Sequence, residues 1–358
     1  MKTVGILTSG GDCPGLNATI RGVAKALYEA RPDISIIGIR DGFYGLIHGE
    51  CEKMKPSDFS EILTRGGTIL GTSRQPHKKM QKIEADHIDK IASMKKTYAD
   101  LKLDCLFILG GNGTHKTANL LRSEGLNIIG LPKTIDNDIF GTDYTFGFHT
   151  AVDIATEVID RIHTTAASHK RVMLIEIMGN KAGWLTLYSG VAGGADIILI
   201  PELPFEPDNI AKALEKRERK SRPYTIIAVA EGAMDADEAR LKKKERTLMR
   251  LERGEATATN RIAAGIHERT GFDTRVVIPG HIVRGGSPSA YDRVLATRFG
   301  TYAASLAIKG VFGVAVALKG DMVTHNKLED IAGIPKLVPP EHQMVAVARE
   351  TGVIFGDN

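Results

Sequence analysis

Short, uniformly apolar runs alternate along this chain with longer amphipathic stretches. Thr3–Thr8 (TVGILT), Ile34–Ile39, Cys105–Leu109 and Asn127–Leu131 are each the length of a strand and are bounded by glycine or polar turns. Runs of this kind read as strands buried on both faces, because they lack the polar alternation of a half-exposed strand. The same pattern recurs at Val172–Glu176, Ile197–Ile200, Thr225–Ala230, Arg275–Ile278 and Gly313–Leu318. Between them, apolar positions at helical spacing predict helices over Leu16–Glu29, from the turn GGNGT to Gly125, and over 147–163, 181–192, 207–220, 256–269 and 291–309. Strand, helix, strand at this spacing predicts an α/β fold whose mainly parallel sheets carry helices on both faces. Two such lobes are expected, one from about 1–139 plus 255–305 and the other from about 140–254 plus 306–358, with the active site in the cleft between them.

Composition supports a chain that buries a sizeable core: 358 residues, 42% hydrophobic and 25% charged. The glycines collect at a few turns that follow apolar runs. The three cysteines lie far apart with no CxxC pair, and the apolar run in MKTVGILTSGG is too short for a secretory leader. Reduced thiols and a cytoplasmic location are expected. No stretch approaches the roughly 18 continuous apolar residues of a membrane span, so no membrane partner is expected. The formal net charge of +4 is small. The densest basic stretch, RLKKKERTLMRLER at 240–253, has no interleaved aromatics on which bases would stack and reads as a solvated helix. No nucleic-acid partner is expected.

The unusual sequences sit where parallel sheets keep their chemistry, after the carboxyl ends of strands. The first is TSGGDCPGLNA, with Gly10, Gly11, Asp12 and Gly15 between strand and helix. Adjacent glycines let a ligand approach the backbone, and the helix that follows offers unpaired N–H groups, so a phosphate suits the turn. A tight turn with no ligand is the plainer alternative. The sequence matches neither the dinucleotide fingerprint nor the Walker A loop. The second turn, Gly110–Thr114 (GGNGT), has the same placement, and Asn112 within it is a candidate metal or phosphate-water contact. Arg74, in GTSRQP, offers a forked phosphate contact.

The third turn, PKTIDND, gathers Lys133, Asp136 and Asp138. Beside two phosphate-type turns, this pair of carboxylates suits a general base and a Mg²⁺ ligand, the parts that phosphoryl transfer needs. A fourth set is dispersed: Arg171, the stretch MGNKAGW (178–184), Glu231, Arg275, and GHIVRGGSP with His281 and Arg284. Arginines and a histidine at strand ends suit a second phosphate, and a carboxylate suits sugar hydroxyls.

In order along the chain, TSGGDCPGLNATIRG, RGGTILGTSR, GGNGT, PKTIDND, GTDYTFGF, EIMGNKAGW and GHIVRGGSPSAYDR resemble the signature of the phosphofructokinase family over at least residues 3–318. The resemblance implies transfer of a phosphoryl group to the 1-hydroxyl of fructose 6-phosphate. It implies Asp136 as the base, Thr134 at the acceptor, Asp138 holding Mg²⁺, and Arg171 among the catalytic groups. Gly11, Arg74, Gly111, Asn112, Gly113, Thr114 and Lys133 are implied to hold the donor. Arg171 and Arg275 are implied to bind fructose 6-phosphate across a subunit boundary, in a homo-oligomer expected to be a tetramer. Met178, Gly179, Asn180, Glu231, His281 and Arg284 are implied to complete the sugar-phosphate site.

This sequence departs from the family pattern at several positions. Asn112 stands where an aspartate is usual, Asn180 where an arginine is usual, and Phe43 and Gln75 where tyrosine and phenylalanine are common near the nucleotide. Family members use ATP or pyrophosphate. An aspartate at the position of Gly113 and a lysine at that of Lys133 mark the pyrophosphate users. Gly113 leaves room for an α-phosphate, so ATP is expected, with pyrophosphate the alternative. Arg21 and Lys25 resemble part of the effector site of bacterial members. A lipid or NAD kinase shares the GGNGT turn but does not account for GHIVRGGSP. A catalytically silent sugar-phosphate or nucleotide sensor is a further alternative.

Overall fold

A computed structural model of the chain describes residues 1–85, 87–220, 224–252 and 257–357. Their strands are β1 (Thr3–Ser9), β2 (Ser35–Ile39), β3 (Cys51–Met54), β4 (Cys105–Gly110), β5 (Ile128–Pro132), β6 (Val172–Ile177), β7 (Ile197–Leu199), β8 (Thr225–Ala230), β9 (Thr274–Val277), β10 (Val314–Lys319) and β11 (Met322–Lys327). They form two sheets. The larger has the order β11-β10-β5-β4-β1-β2-β3 and the smaller β7-β8-β6-β9. The chain divides into two compact units, Met1–Thr150 with Arg284–Lys336, and Ala151–Val283 with Leu337–Asn358.

The nine expected strands all form, to within a residue or so at their ends. The pairings among them are parallel. The large sheet adds two antiparallel edges that the apolar pattern does not reveal, β3 on β2 and β11 on β10. CEKM and MVTHNK are edge strands with mostly half-exposed or exposed positions, so neither carries a buried apolar run. The central strand β4 (CLFILG) is buried along its whole length, as expected where helices cover both faces.

The expected lobe boundaries are corrected by strand pairing. Val314 of β10 pairs with Ile129 of β5, which puts residues 314–319 in the large sheet. Thr274 of β9 pairs with Val172 of β6, which puts 274–277 in the small one. Hydrogen bonding across a sheet, not order along the chain, decides membership. The expected boundary at 254–255 and the expected helix start at 256 lie outside the described residues. Between β8 and β9 the chain makes a charged excursion that includes the basic stretch, and within it Ala236–Arg240 and Lys243–Glu252 are helices. The Glu238 carboxylate, only 1% exposed, accepts from Arg250 at 2.8 and 3.2 Å and from Arg261. The excursion is thus held by a buried charge cluster.

Candidate active site

In the first unit the three chemistry-bearing turns leave neighbouring strands side by side. Ser9, at the end of β1, pairs with Gly110 of β4, and Gly110 pairs with Pro132 of β5. The chain runs from β1 to β2 on one side and to β4 on the other, so the turns after β1 and β4 flank the point where winding reverses. Open α/β sheets bind ligands at such a point.

The TSGG turn is held by side chains from both neighbouring loops. Lys133 Nζ donates to the carbonyl of Gly11, and Arg284 Nη1 donates to the carbonyl of Asp12 at 3.2 Å. A Cβ on Gly11 would stand 3.1 Å from that Nη1, so glycine permits the close approach. Burial pulls the Lys133 ammonium below the usual lysine range. Cys13 and Asp136 oppose that pull, and Arg284 adds to it. A buried ammonium that donates to a backbone carbonyl of the turn suits an anion arriving there. The Cys13 thiol, fully buried, is pushed up to about 12 and is no nucleophile. Arg74 follows a loop fastened to the same turn, where Thr72 Oγ1 donates to Gly10 O at 2.6 Å and Gly10 N to Ser73 O at 3.2 Å. Arg74 itself is exposed.

GGNGT opens the helix Asn112–Ser123. Thr114 is buried, with its hydroxyl 3.4 Å from Ser9 O, which ties this turn to the first. A Cβ on Gly113 would meet no atom within 4 Å. Asn112 Nδ2 donates to the carbonyl of Ile334 at 3.3 Å. The buried His115 ring contacts the Gly111 carbonyl through Nδ1 at 3.1 Å, and burial pushes its pKa down to about 4.

The PKTIDND loop is folded around Asn137, whose φ of 50° places it in the left-handed region that asparagine tolerates. Its side chain donates to Asp143 O at 3.2 Å and accepts from Thr145 N at 3.1 Å. Thr145 Oγ1 donates to Thr134 O at 2.7 Å, and Asp136 N donates to Thr134 Oγ1 at 3.0 Å. Asp136 is 8% exposed and Asp138 half-buried. Burial raises the Asp138 carboxyl, while its own N–H, Lys133 and Lys336 hold it down. Neither Asn137 nor Thr145 was a sequence-level candidate, although an asparagine between two aspartates is itself a signal for a left-handed turn. Nothing near PKTIDND in the sequence points to Lys336.

In the second unit the dispersed set separates into two groups. Met178, Gly179 and Asn180 follow the carboxyl end of β6, and Glu231 follows that of β8. Glu231 Oε1 accepts from Gly179 N at 3.2 Å and Asn180 N at 2.5 Å, so this carboxylate shapes the MGNK turn. Asn180 has φ of 55°, a conformation that asparagine takes more readily than arginine. His281 is exposed on the 3-10 turn Gly280–Arg284 after β9. Arg171 and Arg275 lie at the other end of the sheet, where β6 and β9 begin. Arg171 Nε donates to Asp273 Oδ2 at 2.6 Å, and Arg275 Nη1 to Oδ1 of the same carboxylate. Along β6 the two ends are about 20 Å apart at ~3.3 Å per residue. Within one chain, therefore, the two arginines do not join Met178–Asn180 and Glu231. Arg284, expected with the sugar phosphate, lies against the TSGG turn of the first unit.

The fold and these turns define an α/β protein with phosphate-type turns beside an acid pair. Residues 3–307 match the sequence profile of the family described as phosphofructokinase, and the chain belongs to that family. It is 54% identical to the ATP-dependent 6-phosphofructokinase of Spirochaeta thermophila, over 99% of this chain and 98% of that one. It is 44% identical to the pyrophosphate–fructose 6-phosphate 1-phosphotransferase of Amycolatopsis methanolica, over 99% of each. The phosphofructokinase of Saccharomyces cerevisiae superposes with a TM-score of 0.80 at 28% identity. That match covers 98% of this chain, which spans about half (47%) of the yeast chain.

Proposed function

We propose that this protein transfers the γ-phosphoryl group of ATP to the 1-hydroxyl of fructose 6-phosphate, giving fructose 1,6-bisphosphate. The observation that carries the reading is the row of three turns after β1, β4 and β5, with glycine backbone, a buried ammonium and the Asp136–Asp138 pair along one edge. Asp136 takes the proton of the 1-hydroxyl as that oxygen attacks the γ-phosphorus and the β–γ bridge breaks. Lys133, Arg74 and the Gly111–Thr114 turn hold the donor phosphates. Arg171 and Arg275 bind the 6-phosphate of the sugar, and Met178–Asn180, Glu231 and His281 receive the sugar. The end-to-end separation within the small sheet supports a site that two chains complete, and hence a homo-oligomer, a tetramer in this reading.

Among the described residues no three His, Cys, Asp or Glu side chains form a metal cage. Mg²⁺ does not need one, since it is bound by one or two carboxylates plus substrate phosphates. The half-buried Asp138 carboxylate, beside the donor turns, fits that role. Asn112 contributes at most its amide oxygen, because its amide nitrogen is given to Ile334. Mg²⁺ bound there would neutralise charge on the transferring phosphates. Asp136 and Thr134 orient the acceptor, and the two glycine turns keep the donor in line.

ATP is the donor in this reading because Gly113 borders open space. Relatives named for ATP and for pyrophosphate both resemble the chain closely. A coupled assay for fructose 1,6-bisphosphate, run with ATP and with pyrophosphate, tests both parts. No product with either donor overturns the reading. Product with pyrophosphate alone overturns the donor assignment.

A further inference from the structure

Three consecutive residues near the end of the first unit touch both loops assigned to phosphoryl transfer. Ile334 O accepts from Asn112 Nδ2 at 3.3 Å, at the first position of the helix that opens from the donor turn. Pro335 forms an isolated antiparallel bridge with Ile139. Lys336 N donates to Asp138 O at 2.8 Å, and Lys336 Nζ donates to Thr142 O at 2.9 Å and Asp143 O at 2.7 Å. The segment has a firm base. Leu328 and Ile331 are buried in the core of the large sheet, and Leu328 N donates to Gly313 O at 2.9 Å just before β10. Its far anchor is fixed as well, since Asp143 Oδ2 accepts from Gly320 N at 2.7 Å in the β10–β11 turn.

We infer that Ile334–Lys336 is a strap that sets the acid loop against the donor turn, with Lys336 as the positioning residue of the Asp138 loop and Asn112 as the tether. This inference rests on the functional reading above for its link to catalysis. A long ammonium side chain is costly to desolvate and is retained where it gains hydrogen bonds. Here it gains two carbonyls of the loop that carries Asp136 and Asp138, and its charge reaches the Asp138 carboxylate. The strap also accounts for Asn112. A carbonyl at 3.3 Å needs a donor, and an amide supplies one. An aspartate there presents a carboxylate oxygen to a carbonyl oxygen, which repel. The departure from the family residue is thus what the strap requires.

The test uses the full-length protein with Lys336→Met, Lys336→Arg, Asn112→Ala, and Asn112→Ala combined with Lys336→Met. Steady-state kinetics with fructose 6-phosphate and each donor are read alongside amide hydrogen exchange over 137–143 and 334–336. Lys336→Met is expected to lower kcat roughly tenfold to a hundredfold, the scale of a small displacement of reacting groups. Its donor KM should stay within about threefold, since loop placement acts mainly in the transition state. Lys336→Arg, which keeps the charge and the donors, should recover most of the loss. Lys336→Met and Asn112→Ala should each speed exchange in both segments, and the double variant should fall short of the product of their single losses. Unchanged kcat with unchanged exchange in Lys336→Met overturns the strap, and so do losses that multiply. If Lys336→Met does not fold, Lys336→Arg and Asn112→Ala decide by the same exchange readout. A wild type that makes no fructose 1,6-bisphosphate overturns the functional reading instead, and the exchange data still judge the strap.

Discussion

Arg171 pairs with Asp273 at the amino-terminal end of the small sheet, Nε to Oδ2 at 2.6 Å, and Arg275 takes the other oxygen of that carboxylate. One acid thereby holds two guanidinium groups together. Arg275→Ala is expected to raise KM for fructose 6-phosphate about tenfold to a hundredfold, the worth of one charge-assisted hydrogen bond. The donor KM should barely move. At fructose 6-phosphate too dilute to saturate Arg275→Ala, mixing its chains with inactive Asp136→Ala chains should restore part of the activity, because some shared sites carry neither lesion. A fully active monomer in sedimentation would contradict the shared site.

Asp136→Asn keeps the shape of the loop and removes the base. The expected loss is about two to four decades in kcat, with KM for fructose 6-phosphate little changed. Near-normal turnover in this variant would remove Asp136 from the role.

Gly113→Asp is expected to fold normally, since its Cβ meets nothing within 4 Å. The added carboxylate faces the donor polyanion, a like-charge contact worth several kcal/mol. ATP kcat/KM should fall by about a hundredfold or more, at roughly 1.4 kcal/mol per tenfold, while pyrophosphate use persists or rises. Measuring both donors in both proteins separates a donor switch from general damage.

Glu238 is buried between Arg250 and Arg261. Glu238→Ala removes the buried carboxylate that pairs with Arg250 and Arg261 and should cost about 3–5 kcal/mol, read as a lowered midpoint in chemical denaturation. A shift under about 0.5 kcal/mol, typical of a surface site, would show that the cluster does not anchor the excursion.

His115 and His149 are both held neutral by burial, their pKa values pushed down to about 4. An unfolded histidine titrates near 6.5, so the unfolded chain takes up protons first as the pH falls. The stability these groups contribute is complete above pH 6.5 and is lost as pH drops from about 6.5 to about 4. Denaturation midpoints measured across that window should decline less steeply in His115→Leu than in the wild type. Equal slopes would mean that His115 is not buried neutral.

The strands that carry chemistry were legible because each is a short apolar run ending in glycine or a polar turn. Strand β11 was not: MVTHNK alternates weakly and owes its place to pairing with β10. The donor and acid turns could be read from their residue types. The location of Arg171 could not, since nothing in SHKRV says which end of a strand lies near which ligand. Arg284 sits within a motif read as sugar-binding, yet its partner, the Asp12 carbonyl, is 272 residues away in sequence. Lys336 lies in no motif, and its role exists only through folded proximity to Asp138.

Strand β10 completes the large sheet on the open side of β5, joining Val314 to Ile129. A chain emerging from the ribosome amino end first has made β1, β2, β4 and β5 long before residue 314 appears. For that interval β5 presents bare N–H and carbonyl groups along an apolar edge, the kind that pairs with any strand on offer. Synthesis itself therefore imposes a window of vulnerability to aggregation. A ribosome stalled before residue 314 should display a nascent chain that chaperones engage, and release past residue 327 should end that engagement.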